Sequence, residues 1–119
     1  MIPQKQIAGG LGAPVHGSVV TDGAGNVVAE PGAVGIAGVA LVVVEGFNCI
    51  RVTFEMPFAN ASYVWSALGL QLGAAPGILS TVIQPEFVTP DPRTESTLTF
   101  ALTKTNPFTQ AVTAMVTCQ

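Results

Sequence analysis

Residues 46–70, GFNCIRVTFEMPFANASYVWSALGL, decide the fold. Ile50, Val52 and Phe54 alternate with Arg51, Thr53 and Glu55, and a period of two gives a strand one apolar and one wet face. Met56-Pro57-Phe58-Ala59-Asn60 then breaks the pattern, because proline offers no ladder N–H and restricts the residue before it. A second strand is expected to resume at Ser62, with Tyr63 and Trp65 on one face and Val64, Ser66 and Leu68 on the other.

On either side of this unit the chain alternates short strands with turn signals. Gly17-Ser18-Val19-Val20 and Val27-Val28-Ala29 flank Thr21 to Asn26, whose Asp-Gly and Gly-Asn steps suit the positive-φ positions of a tight hairpin. Pro31-Gly32 marks a turn, and Ala33 to Val44 reads as a long strand in which Gly35 and Gly38 mark a bulge or a close backbone approach. Glu45-Gly46-Phe47-Asn48 is expected to turn the chain into a strand from Cys49 to Glu55. Beyond Leu70, Gly73 to Gly77 is a turn, and Ile78 to Phe87 a strand interrupted by Pro85. Thr89 to Ser96 is a loop, since Pro90 and Pro92 flank Asp91. Leu98, Phe100 and Leu102 alternate with threonines and Ala101, a loop passes Asn106-Pro107, and Ala111 to Cys118 closes the chain as a strand. No stretch has helical periodicity. The expected fold is an all-β antiparallel β-sandwich, jelly-roll or immunoglobulin-like, over residues 15–119.

Residues 1–14 hold Pro3, Gly9, Gly10, Gly12 and Pro14 without either period and read as an extended N-terminal arm. Ile2, Ile7 and Leu11 are its candidate anchors in a neighbour's groove; a disordered terminus is the alternative.

With 119 residues the chain is one domain by length and large enough for its own core. Only 9% of its residues are charged, against about 25% in a typical soluble domain. Either much of the surface is covered by copies of the chain or by a partner, or Ser, Thr, Asn and Gln solvate it. The net charge is −3, and the bases Lys5, Arg51, Arg93 and Lys104 are scattered. Nucleic-acid binding needs a clustered cationic footprint and is not expected. The apolar run Ala33 to Val44 falls short of the roughly 20 residues of a membrane helix, and Met1 to Gln6 shows no signal-peptide pattern. No membrane partner is expected.

Catalytic chemistry finds no constellation. His16 is the one histidine, and the carboxylates Glu45, Glu55, Glu86, Asp91 and Glu95 form no acid/base pair by spacing. His16, Cys49 and Cys118 lack zinc-ligand spacing. Asp22 to Asn26 lacks the alternating acids of a calcium loop. Gly9-Gly10-Leu11-Gly12 is followed by neither Lys-Ser/Thr nor a helix. No enzyme, metal or cofactor is expected. Cys49 and Cys118 pair if their strands are neighbours; otherwise they are buried thiols. Tyr63 and Trp65 are candidates for a sugar- or protein-binding patch, the other reading being that they pack the core or a subunit seam.

The phrase Arg51-Val52-Thr53-Phe54, then Pro57-Phe58-Ala59-Asn60-Ala61-Ser62-Tyr63, with an early Asp22-Gly23 hairpin and a late Phe100 strand, resembles β-sandwich modules of bacteriophage virion proteins. The resemblance implies a non-enzymatic structural protein, commonly homotrimeric. A sandwich with a short arm and no stalk looks more like a capsid decoration, or cement, protein than a tail-fibre module. Such a protein is made in the bacterial host cytoplasm and sits on the capsid surface of the virion, bound to the major capsid protein. The alternative is a receptor- or glycan-binding tip of a tail fibre, acting through Tyr63 and Trp65.

Overall fold

The structure is a computed structural model, described here for residues 15–21, 26–71, 81–83, 85–88, 91–102 and 112–119. The expected arm, the turns at 22–25 and 73–77 and the Asn106-Pro107 loop lie outside these residues. Among the described residues nine strands follow one another: β1 (Val15–Thr21), β2 (Val27–Ala29), β3 (Ile36–Val44), β4 (Phe47–Phe54), β5 (Trp65–Gln71), β6 (Thr81–Ile83), β7 (Pro85–Phe87), β8 (Thr97–Leu102) and β9 (Val112–Cys118). They form two antiparallel sheets, ordered β2-β1-β9-β5-β6 and β3-β4-β8-β7. The chain is all-β over the described residues, in an arrangement compatible with a β-sandwich.

Period two sets the core. Val15 and Val19 on β1 and Val112, Ala114 and Val116 on β9 are buried, and their counterparts are Ile50 and Val52 on β4 and Leu98, Phe100 and Leu102 on β8. These residues join one cluster with contributions from both sheets, and burial of such apolar area is the main favourable term in folding.

The chain passes between the sheets four times, after β2, β4, β6 and β8, and two of these crossings fall where a single strand is expected from the sequence. At the first, Pro31 and Gly32 occupy the middle of a turn closed by the Ala33 N–H donating to the Glu30 carbonyl at 3.2 Å, with Gly32 at φ +97°. Proline followed by positive-φ glycine is the type II pattern. Val34 then exchanges hydrogen bonds with His16 at 2.8 and 3.0 Å, so it still belongs beside β1. Gly35, at φ +78°, turns the chain away, and Ile36 opens β3 in the other sheet. The strand expected from Ala33 therefore begins three residues later. The approach is tight, since a Cβ on Gly17 would meet the Ala33 Cβ at 2.7 Å.

The second corner divides the strand expected from Ile78 to Phe87. β6 pairs with β5, whereas β7 pairs with β8 in the other sheet. Pro85 opens β7, which is an edge strand, and the first position of an edge strand is where a missing N–H does least harm.

The turn expected over four residues at Glu45 is a two-residue hairpin. Val44 pairs with Phe47, and Glu45 and Gly46 have φ of 52° and 83°, as a type I′ turn requires. A register shift between Ile36 and Gly38 marks a bulge in β3, in the region where the glycines suggested one. Cys49 and Cys118 lie on strands of different sheets, and both are buried and unpaired.

Candidate functional site

The corner after β4 is built from aromatic rings. The Phe58 N–H donates to the Glu95 carbonyl at 2.9 Å, which seats its ring against Tyr63 in a stack with centroids 4.3 Å apart. Phe54 meets both rings edge-on, at 5.3 and 5.5 Å, the arrangement that aromatic quadrupoles favour. Asn60 accepts the Ser62 N–H at 2.8 Å, an Asx-type turn that redirects the chain into β5. Pairing resumes at Trp65, not at Ser62, because Tyr63 is drawn out of the ladder into this cluster.

Tyr63 is fully buried. Its hydroxyl lies 3.0 Å from the Thr94 carbonyl and 2.9 Å from that of Thr97, donating its one proton to either and pinning the 94–97 turn. Burial pushes its pKa well above the usual phenol range. Tyr63 therefore offers a ligand no ring surface, only its backbone carbonyl, which accepts from Arg93 Nη1 at 3.0 Å. Trp65 is half-buried. It packs against Phe100 at 5.8 Å and meets Phe87 at 5.5 Å with the rings perpendicular.

Arg93 and Asp91 complete the wall. Arg93 Nε donates to Asp91 Oδ1 at 3.2 Å and Nη2 to Oδ2 at 3.3 Å, while the Arg93 backbone N–H donates to Oδ1 at 2.8 Å. These bonds hold the Asp91 carboxyl below the usual carboxylate range. Val64, Trp65, Phe87, Val88 and Pro92 with this fork enclose a cleft of about 460 Å³. Phe87 stands over it with 74% of its surface open.

Sequence reasoning reached Trp65 but not Phe87, Asp91 or Arg93. The last two lay in a block read only as a loop. The one available signal is an acid and an arginine on either side of Pro92, and nothing local ties that pair to Tyr63, thirty positions before Arg93.

His16 lies in a separate hollow of about 320 Å³ with Ser18, Glu30 and Gly32. No hydrogen bond among the described residues joins the side chains of His16, Ser18 and Glu30, so the hollow holds no assembled nucleophile and base. Among the described residues no three His, Cys, Asp or Glu side chains cluster to hold a metal.

A broader feature covers the outside of the five-stranded sheet. Its outward rows are Val28, Val20 and Thr113; Ser18, Met115 and Leu68; and His16, Thr117 and Ser66. Within the strands none carries aspartate, glutamate, lysine or arginine; the charge on this face is Glu30, just beyond β2, whose N–H donates to the Ser18 carbonyl at 2.8 Å and which thereby extends the Ser18 row at the sheet edge. Val28, Met115 and Leu68 are exposed here, and so are Val34 and Val64 at the margin. The acids and bases among the described residues lie in turns and loops or, as with Arg51 and Glu86, on the four-stranded sheet.

The candidate anchors Ile2, Ile7 and Leu11 lie outside the described residues. No protein-family model, curated protein or solved structure matches the chain.

Proposed function

We propose that this chain is a non-catalytic assembly module, a bacteriophage capsid decoration (cement) protein that forms a homotrimer and clamps major capsid subunits from the capsid surface. The observation that carries the assembly reading is the outer face of the five-stranded sheet, uncharged along its described strand residues and charged only at its edge, by Glu30. A sheet face meant for water normally carries charge among its outward residues. One that lacks it at its centre can meet a copy of itself there without like-charge repulsion or the cost of burying an unpaired charge.

The phage reading is supported by the resemblance in residues 51–63, whose Phe58 and Tyr63 lie at the heart of the aromatic corner. We read the sandwich as jelly-roll-like, with support from the pairing of β1 and β9, the first and last strands, inside one sheet. In this proposal the arm of residues 1–14 reaches a neighbouring subunit through Ile2, Ile7 and Leu11. Several weak contacts on one rigid body then act together through avidity.

The test is antibody labelling of intact virions and co-sedimentation of the full chain with purified heads. Label over the head and pelleting that requires residues 1–14 are the expected results. Label confined to the tail would move the function to host recognition.

A further inference from the structure

We propose that the cleft between Trp65, Phe87 and the Asp91–Arg93 fork is a binding site for a neutral sugar ring. The inference is independent of the assembly reading, since a single copy of the chain contains the whole site. Its volume, about 460 Å³, falls within the roughly 300–1,000 Å³ of small-molecule sites.

The walls divide into two chemistries. Phe87 and Trp65 stand at 89° to each other, so they present two aromatic surfaces at a right angle. The negative face of such a ring attracts weakly positive C–H groups, of which a pyranose carries several on one side. Val64, Val88 and Pro92 keep the remainder of this wall apolar.

Opposite them the fork supplies paired polarity. Among the described residues, Arg93 uses Nε–H, one Nη1–H and one Nη2–H, and a guanidinium has five N–H donors. One donor therefore remains on each terminal nitrogen. Asp91 Oδ1 accepts two bonds and Oδ2 one, which leaves a lone pair on Oδ2 beside the spare Nη2–H. An acceptor next to a donor matches two neighbouring hydroxyls, each of which can donate and accept. The side chains are already fixed, because Arg93 is tied to the carbonyl of buried Tyr63, so little ordering cost remains on binding.

Charge selects the class. The fork is neutral as a pair: Asp91 opposes an anionic sugar and Arg93 a cationic one. Glycoside hydrolysis commonly needs two carboxyl groups, and Asp91 is the one carboxylate among the described residues of the cleft. The site is therefore one of binding, not cleavage.

Trp65 is the sole tryptophan, so its fluorescence reports directly on the cleft. The full chain would be titrated with the methyl glycosides of glucose, galactose, mannose and N-acetylglucosamine, and with glucuronic acid and glucosamine as charged counterparts. At least one neutral glycoside should give a saturable change, with the charged sugars about tenfold weaker or more. Phe87→Ala should weaken that binding about tenfold, with its thermal melt recording that the fold is kept. Asp91→Asn should weaken it comparably and serves as the second variant if Phe87→Ala melts early. The proposal is overturned by silence from every neutral glycoside up to about 10 mM, ten times a millimolar Kd. It is equally overturned by binding of charged sugars alone, or by unchanged affinity in a folded variant.

Discussion

The outward faces of the two sheets are made differently. On the four-stranded sheet Arg51 faces outward, its Nε donating to Thr99 Oγ1 at 3.3 Å, and Cys49, Thr99 and Ala101 on the same side are already buried within the chain. On the five-stranded sheet the outward rows carry no charge within the strands, yet Val28, Met115 and Leu68 remain open. The four-stranded face carries a charge in its middle, at Arg51, beside exposed Phe47 and Thr53. The five-stranded face carries its charge only at the edge, at Glu30, and its central strands are left apolar or neutral. The difference teaches that what distinguishes the five-stranded face is an uncharged centre, the feature on which the assembly proposal rests.

The largest expected effect tests the core that both faces share. Phe58→Ala removes a ring stacked on Tyr63 and edge-on to Phe54, and should lower stability by about 3–5 kcal/mol, read from urea unfolding. If only one sheet melted, the view of a single core serving both faces would fail.

A charge placed on each face separates them. Met115→Lys would bury an unpaired ammonium in the proposed contact, weakening assembly by ~3 kcal/mol, roughly a hundredfold or more. Thr53→Lys, exposed on the four-stranded sheet, should leave assembly unchanged. Equal effects from the two variants in a size-exclusion dilution series would erase the contrast.

Each sheet also holds one buried thiol, and alkali should expose this. Burial raises the Cys118 pKa from 9.0 to about 12 and moves Cys49 in the same direction. A group whose folded pKa is raised contributes stability that is complete below its unfolded value and lost as pH rises through the folded one. Stability should therefore hold up to about pH 9 and decline from there towards 12, with buried Tyr63 adding to the decline. Unfolding midpoints across that window check the sign. In Cys118→Ala the decline should be shallower.

The smallest effect is a gain. The Thr21 hydroxyl is fully buried and has no hydrogen-bond partner among the described residues, so Thr21→Val should stabilise by about 1 kcal/mol, visible as a higher melting temperature.

Much of this fold was legible in the sequence because period two is a local signal. The alternation of Leu98, Phe100 and Leu102 and of Val112, Ala114, Val116 and Cys118 with their polar or less buried neighbours marks the inward faces found in the structure. The crossings between sheets were harder to read. Nothing in Ala33-Val34-Gly35-Ile36 says that Val34 pairs with His16 while Ile36 pairs with Phe54, since both are simply apolar residues. Tyr63 and Trp65 looked alike for a similar reason. Their different burial depends on Phe58 and on the 94–97 turn, which come from other parts of the chain. The Asp91–Arg93 fork is held in place by a contact thirty residues long, from Arg93 to the Tyr63 carbonyl, and the uncharged centre of the sheet face emerges only when four strands are laid side by side.

The most direct test of the central claim is sedimentation equilibrium of the full chain beside its Met115→Lys variant. The wild type should sediment at a multiple of 12.2 kDa, as a trimer, and the variant as a folded monomer with an unchanged melt. A wild type that stays at 12.2 kDa at every concentration, or a variant that assembles equally well, would contradict the claim that the face with the uncharged centre is built to be covered.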